Sequence, residues 1–130
     1  MIVGKNENSD MTSFENMKVW QISMILMQKV YVLSKKFPSE ESYDLTRQIR
    51  KASKSILANL AEGCSRYTFT DKASKFVIAR GECAEVRAFL LMAIALNYLA
   101  KQEAEEALKL QEEVSRMLSG LIKTCRNQAL

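Results

Sequence analysis

LTRQIRKASKSILANLAEG, residues 45–63, decides the fold of this 130-residue chain. Leu45, Ile49, Ala52, Ile56 and Leu60 recur at offsets of four, seven, eleven and fifteen, and at about 3.6 residues per turn they fall on one stripe of an α-helix. That stripe predicts an inward face. Arg47, Lys51 and Lys54 keep the same spacing two residues out of phase, and Arg50 stands one turn from Lys54, so a second face is cationic and carries no acid. It points away from the core. Gly63 follows the last periodic residue and predicts a left-handed helix stop, because a residue without Cβ meets no clash there.

Upstream, a helix is expected to begin near Asn16, with Asn16 or Ser13 as its side-chain cap, and to end at Phe37-Pro38, where the proline ring disfavours helical geometry in the residue before it. Its apolar residues, from Met17 and Trp20 through Ile25 and Val32, exceed what one stripe holds, which predicts a subunit interface on the surplus. Downstream, Cys64 to Phe69 reads as a loop and Thr70-Asp71 as the next helix start. Phe76, Ala79, Cys83, Val86, Leu90, Ala93 and Asn97 then keep alternating spacings of three and four, the pattern of a bundle seam. Gly81 within it predicts close approach of a neighbouring backbone. After a turn at Leu99–Gln102, Ala107, Gln111, Val114, Leu118, Leu121 and Cys125 repeat the rhythm in a fourth helix. With one Pro and four Gly to break it, and 48% hydrophobic residues to bury, the chain reads as all-α: an antiparallel up-and-down four-helix bundle over residues 14–130, preceded by a flexible tail at 1–13.

Composition narrows function. There is no histidine, which removes the commonest general base and the Ser/His and Cys/His dyads. Cys64, Cys83 and Cys125 are odd in number and far apart, so they fit neither a disulfide framework nor a CxxC metal site and read as small apolar residues in a reducing compartment. No cofactor, metal or catalytic residue is expected, and the chain does not read as an enzyme. MIVGKNENSD lacks the apolar core of a signal peptide, and the most apolar run, Ala88–Ala100, spans 13 residues where a membrane helix needs about 20. A cytoplasmic protein is expected.

Charge is the main functional clue. Between Leu45 and Arg80, eight cations (Arg47, Arg50, Lys51, Lys54, Arg66, Lys72, Lys75 and Arg80) stand against Glu62 and Asp71, a net of +6, whereas from Gly81 to Ser115 seven Glu against three cations give −4. The cationic stripe is either a phosphate-binding surface or the ordinary solvated face of a bundle helix. Tyr67 and Phe69 either stack on unpaired bases or close the end of the core. Asn59, Glu62 and Glu85 read as a structural polar network, with Glu62 meeting Arg66 or Arg80 and Asn59 bonding across to another helix. Glu82 shares a face with Glu85.

VWQ at Val19–Gln21, Phe37-Pro38, QIRKA at Gln48–Ala52, SILANLAEG at Ser55–Gly63 and IARGECAE at Ile78–Glu85 stand in the order and spacing of the bacterial 23S rRNA intervening-sequence proteins. The chain resembles this family from about Phe14 to Leu121, most specifically in NLAEG and the upstream QIR. It departs from the family pattern at Leu57, where Pro is frequent, and at Glu82, where Ser is common. The resemblance implies a four-helix bundle assembled into a ring, a homopentamer, with a basic surface. Through a related branch it also implies kinship to accessory proteins of diversity-generating retroelements, which bind nucleic acid and a reverse transcriptase. Three readings result: an oligomeric protein that binds RNA or DNA through its basic surface, an adaptor for a reverse transcriptase, and a structural assembly without ligand.

Overall fold

The computed structural model describes residues 13–130, and the stretch 1–12, most of the expected tail, lies outside the described residues. Four helices carry the fold: α1 Lys18–Ser34, α2 Leu45–Ser65, α3 Phe69–Ala95 and α4 Lys101–Ala129. Each packs on its neighbour in the chain and α1 closes the square against α4, which makes an antiparallel up-and-down bundle. No strand occurs among the described residues.

The predicted stripe of α2 is the core: Leu45, Ile49, Ala52, Ile56 and Leu60 are all buried, and Ser53 and Leu57 widen the buried face on one flank. The five stripe residues meet Leu26, Val30 and Leu33 of α1 and the α3 seam from Phe76 to Ala93 in one cluster. Each fully buried Leu or Ile contributes about 1.5–3 kcal/mol by leaving water. Along α4 the seam runs through Ala107, Gln111, Val114, Leu118 and Cys125 as expected, but takes Ile122 in place of the half-buried Leu121. Gln111 is a buried amide. Its Nε2 donates to the Cys83 carbonyl at 3.2 Å, and the Cys83 thiol donates to the Gln111 carbonyl at 3.4 Å, a reciprocal polar link across the α3/α4 seam.

Several boundaries differ from the sequence reading, each for a local reason. Neither Ser13 nor Asn16 caps α1: a short 3-10 turn, Phe14–Asn16, precedes it, and Met17 is the capping residue with no side-chain cap bond. Phe14 and Trp20 pack edge to face across this turn at 4.6 Å. α1 ends at Ser34, three residues before the proline turn, and Phe37 tucks into the core while Pro38 extends. α3 begins at Phe69, earlier than Thr70-Asp71, because the Thr68 hydroxyl accepts the Asp71 N–H at 3.1 Å. Asn97 is not part of the seam. It adopts φ 64°, the left-handed residue of a Schellman stop, with Tyr98 N–H donating to the Ala93 carbonyl and Asn97 N–H to that of Ile94. The Glu103 carboxylate then accepts the Ala100 N–H at 2.7 Å, starting α4, and pairs with Lys36 beyond the end of α1.

Two glycines behave differently from expectation. Gly63 is no helix stop: α2 runs on to Ser65, and no described glycine has positive φ. A Cβ at Gly63 would stand 2.5 Å from Cε1 of Phe76, so it is the approach of α3 that requires hydrogen there. Gly81 admits no neighbouring backbone. It is exposed, and a Cβ there would meet nothing within 4 Å.

Candidate nucleic-acid interface

α2 separates two surfaces of opposite character. On its α1 side lies a cleft of about 340 Å³ lined by Tyr31, Ser42, Thr46, Arg47, Arg50, Lys51 and Lys54. Four cations and no acid line it. Arg47, Lys51 and Lys54 are exposed and, among the described residues, form no ion pair within 4.0 Å. Arg50 does not stand free with them. Its Nε donates to Ser34 Oγ at 2.8 Å, its Nη2 to the Tyr31 carbonyl at 3.5 Å, and its guanidinium carbon lies 4.7 Å from the centre of the Tyr31 ring.

On the α3 side of the same helix the lining is acidic and apolar. Glu41, Asp44, Gln48, Phe89, Met92 and Leu96 border one groove, and Gln48, Lys51, Glu82, Glu85 and Phe89 continue it along the helix. Hydrogen bonds turn the acids that way. Glu41 accepts the Tyr98 hydroxyl at 2.7 Å and the Leu45 N–H at 3.1 Å, and Asp44 accepts Gln48 Nε2 at 2.5 Å. The Tyr98 phenol is pushed up to about 12, first by that bond to Glu41 and then by burial. Burial raises the Glu82 carboxyl and neighbouring Glu85 raises it further, while the Ser55 hydroxyl and Lys51 pull it down. Lys51 sits on the ridge between cleft and groove.

The remaining predicted cations do not extend the stripe as a free surface. At the far end of α2, Arg66 and, from α3, Lys75 both reach Glu62, at 3.3 and 3.4 Å. Lys72 Nζ donates to the Cys64 carbonyl at 3.0 Å, satisfying the end of α2. Arg80 faces α4, where its Nη1 donates to Ser119 Oγ at 3.2 Å. Arg66 is thus the expected partner of Glu62, whereas Arg80 is replaced in that role by Lys75. Asn59 does not bond across to another helix; its Nδ2 donates to the carbonyl and hydroxyl of Ser55 one turn earlier in α2. Glu85 is exposed and acts on its neighbour Glu82 rather than joining Asn59 and Glu62. Tyr67 is 96% exposed and closes no core.

No group of three or more His, Cys, Asp or Glu residues placed to hold a metal ion occurs among the described residues. Burial raises all three thiols, Cys83 to about 11, which keeps them protonated near neutrality. No described helix is long and apolar enough to cross a membrane. Tyr31, Ser42 and Thr46 belong to the cleft, buried Ser34 holds Arg50 behind it, and none of the four was singled out from sequence. The available signal was the position of Arg50, three and seven residues before buried Ser53 and Leu57, which puts it on the flank of the core stripe.

The family model described as 23S rRNA-intervening sequence protein matches residues 15–120. The chain belongs to this family. The 23S rRNA-intervening sequence match spans all of α1, α2 and α3 and most of α4. Among solved structures, the chain is similar to a protein of unknown function from the S23 ribosomal protein family of Bacteroides thetaiotaomicron. The two are 24% identical, with a TM-score of 0.74, over 81% of this chain and 98% of the other. That likeness shows the shared bundle. No curated protein matches the sequence.

Proposed function

We propose that this protein is a cytoplasmic, homo-oligomeric RNA-binding protein without enzymatic activity, directed to the phosphate backbone through α2. The observation that carries the reading is the cleft between α1 and α2: Arg47, Lys51 and Lys54 stand exposed and unpaired along a concave surface that no acid lines. Cations without an ion pair are available for phosphates, Arg47 and Lys54 foremost since Lys51 also acts on Glu82, whereas Arg66 and Lys75 share their charge with Glu62. Membership of a family described by 23S rRNA makes RNA the first ligand to test. Ile25 and Val32, 45% and 59% exposed on α1, supply apolar surface for self-association, and the expected assembly is a pentamer that repeats the cleft around a ring.

The test is a titration of a structured RNA and a DNA duplex at two salt concentrations, with the mass of the assembly measured in parallel. Three free cations at about −0.9 each give a slope of log affinity against log salt near −2.7 per engaged subunit on duplex. Replacing Arg47, Lys51 and Lys54 by Gln should flatten that slope and abolish binding at moderate salt. The Arg66→Gln and Lys75→Gln pair should change it little. Absence of binding at low salt refutes the reading and leaves a structural assembly without a polyanionic ligand, and undiminished binding by the triple variant refutes the α1/α2 cleft as the binding surface.

A second reading, an adaptor that docks a protein such as a reverse transcriptase, is favoured by the α2/α3 groove, where half-exposed Met92 and Leu96 lie beside Glu41 and Asp44. That surface suits a basic, apolar protein segment and repels nucleic acid. A reverse-transcriptase gene beside this one, with co-purification of the two products that is lost in Met92→Glu, would support it.

A further inference from the structure

We propose that the α1/α2 cleft selects an unpaired nucleic-acid strand over a duplex, with one base stacked on the Arg50 guanidinium; this rests on the nucleic-acid reading above and names the form of nucleic acid it takes. The guanidinium is a fixed plate. Ser34 Oγ and the Tyr31 carbonyl hold two of its nitrogens, and the Tyr31 ring lies 4.7 Å beneath its central carbon. With those donors engaged, Arg50 has less to offer a phosphate than Arg47 or Lys54, and what remains is a flat cationic surface at the half-buried wall of the cleft. Guanidinium planes supported on an aromatic ring are stacking platforms for bases.

The surroundings fit a nucleotide. Arg47 and Lys54 lie three residues before and four after Arg50, one helical turn to either side, so phosphates flanking the stacked base meet an exposed cation in each direction along α2. The Ser42 and Thr46 hydroxyls supply neutral hydrogen-bonding groups within the same cleft. Its volume of about 340 Å³ is at the small end of ligand sites and suits one nucleotide rather than the width of a double helix. In a duplex the base faces are already stacked on one another, so the Arg50 plate has nothing to receive. The acids at this end of α2 are drawn to the opposite groove by Tyr98, Leu45 and Gln48 and do not oppose a strand here.

The experiment measures the full-length protein against a short oligoadenylate and a blunt RNA duplex carrying the same number of phosphates, each end-labelled for fluorescence anisotropy. A 2-aminopurine placed within the oligoadenylate reports stacking by quenching. The strand is expected to bind more tightly than the duplex and to be quenched. Arg50→Lys keeps the charge and removes the plane, and it should weaken the strand by about 5- to 150-fold, the range that ~1–3 kcal/mol of base stacking represents. Duplex affinity and the salt slope should stay unchanged. Tyr31→Leu, which removes the ring beneath the guanidinium, should behave as Arg50→Lys does. Equal affinity for strand and duplex, with Arg50→Lys inert on both, overturns this inference while leaving backbone binding intact. Failure to bind either probe at low salt overturns both.

Discussion

Replacing Gly63 by Ala isolates the close approach of Phe76 to α2. In a helix interior, Gly to Ala is worth about 1 kcal/mol in favour of Ala through backbone entropy alone. At Gly81 and Gly120 nothing lies within 4 Å of the added Cβ, so both changes should deliver that gain. At Gly63 the Cβ would lie 2.5, 2.8 and 3.1 Å from Cε1, Cδ1 and Cζ of Phe76, where carbon atoms prefer about 3.5–4.0 Å. Phe76 is 3% exposed and packed in the core, so its ring cannot swing out to solvent and must displace its neighbours by roughly an ångström. Overpacking of this kind costs about 1–3 kcal/mol. The helix-propensity term is common to both sites. Gly63→Ala should therefore fall below Gly81→Ala by about 1–3 kcal/mol, or very roughly 3–12 °C in Tm for a chain of this size. Urea denaturation at one fixed protein concentration measures it, since self-association would otherwise move the midpoint. Phe76→Leu should cost less in the Gly63→Ala background than in the parent. If Gly63→Ala gains as much as Gly81→Ala, steric approach of α3 is not why glycine stands there.

Ser23 is 1% exposed and its hydroxyl has no partner among the described residues, so Ser23→Ala should stabilise the protein by about 1 kcal/mol, measured in the same urea titration; destabilisation would show that the hydroxyl is satisfied. Glu82 has its carboxyl raised from the usual 4.5, foremost by burial and then by Glu85. The folded state thus favours its neutral form, an advantage complete below the unfolded value and lost as pH rises through the folded one. Glu82→Gln should consequently raise Tm at neutral pH and leave it unchanged near about pH 3, and a gain that persists undiminished in acid would contradict this origin.

Much of the bundle was legible because burial on a helix repeats every 3.6 residues, and Leu45 through Leu60 announce it without help from the rest of the chain. The same periodicity misleads at its ends. Asn97 continues the α3 rhythm, yet Leu99 has to turn back into the core, and a left-handed residue is what reverses the chain. The cations were legible as residues and illegible as a site. Whether a lysine or arginine is free depends on what another helix brings to it: Ser34 and Tyr31 to Arg50, Glu62 to Lys75, Ser119 to Arg80. From sequence, eight cations between Leu45 and Arg80 look like one surface, and in the fold only Arg47, Lys51 and Lys54 form its unpaired part beside the α1/α2 cleft.

By itself the sequence determined four helices, their order, the buried stripe of α2, most of those of α3 and α4, and an excess of positive charge on α2, because hydrophobic spacing and charge along one helix are local properties. Tertiary structure alone decided that Gly63 makes room for Phe76, that Glu41 and Asp44 turn away from the cations beside them, and that Arg50 lies over the Tyr31 ring. Those outcomes depend on distances between residues remote in the chain, and such distances exist only once the helices have packed.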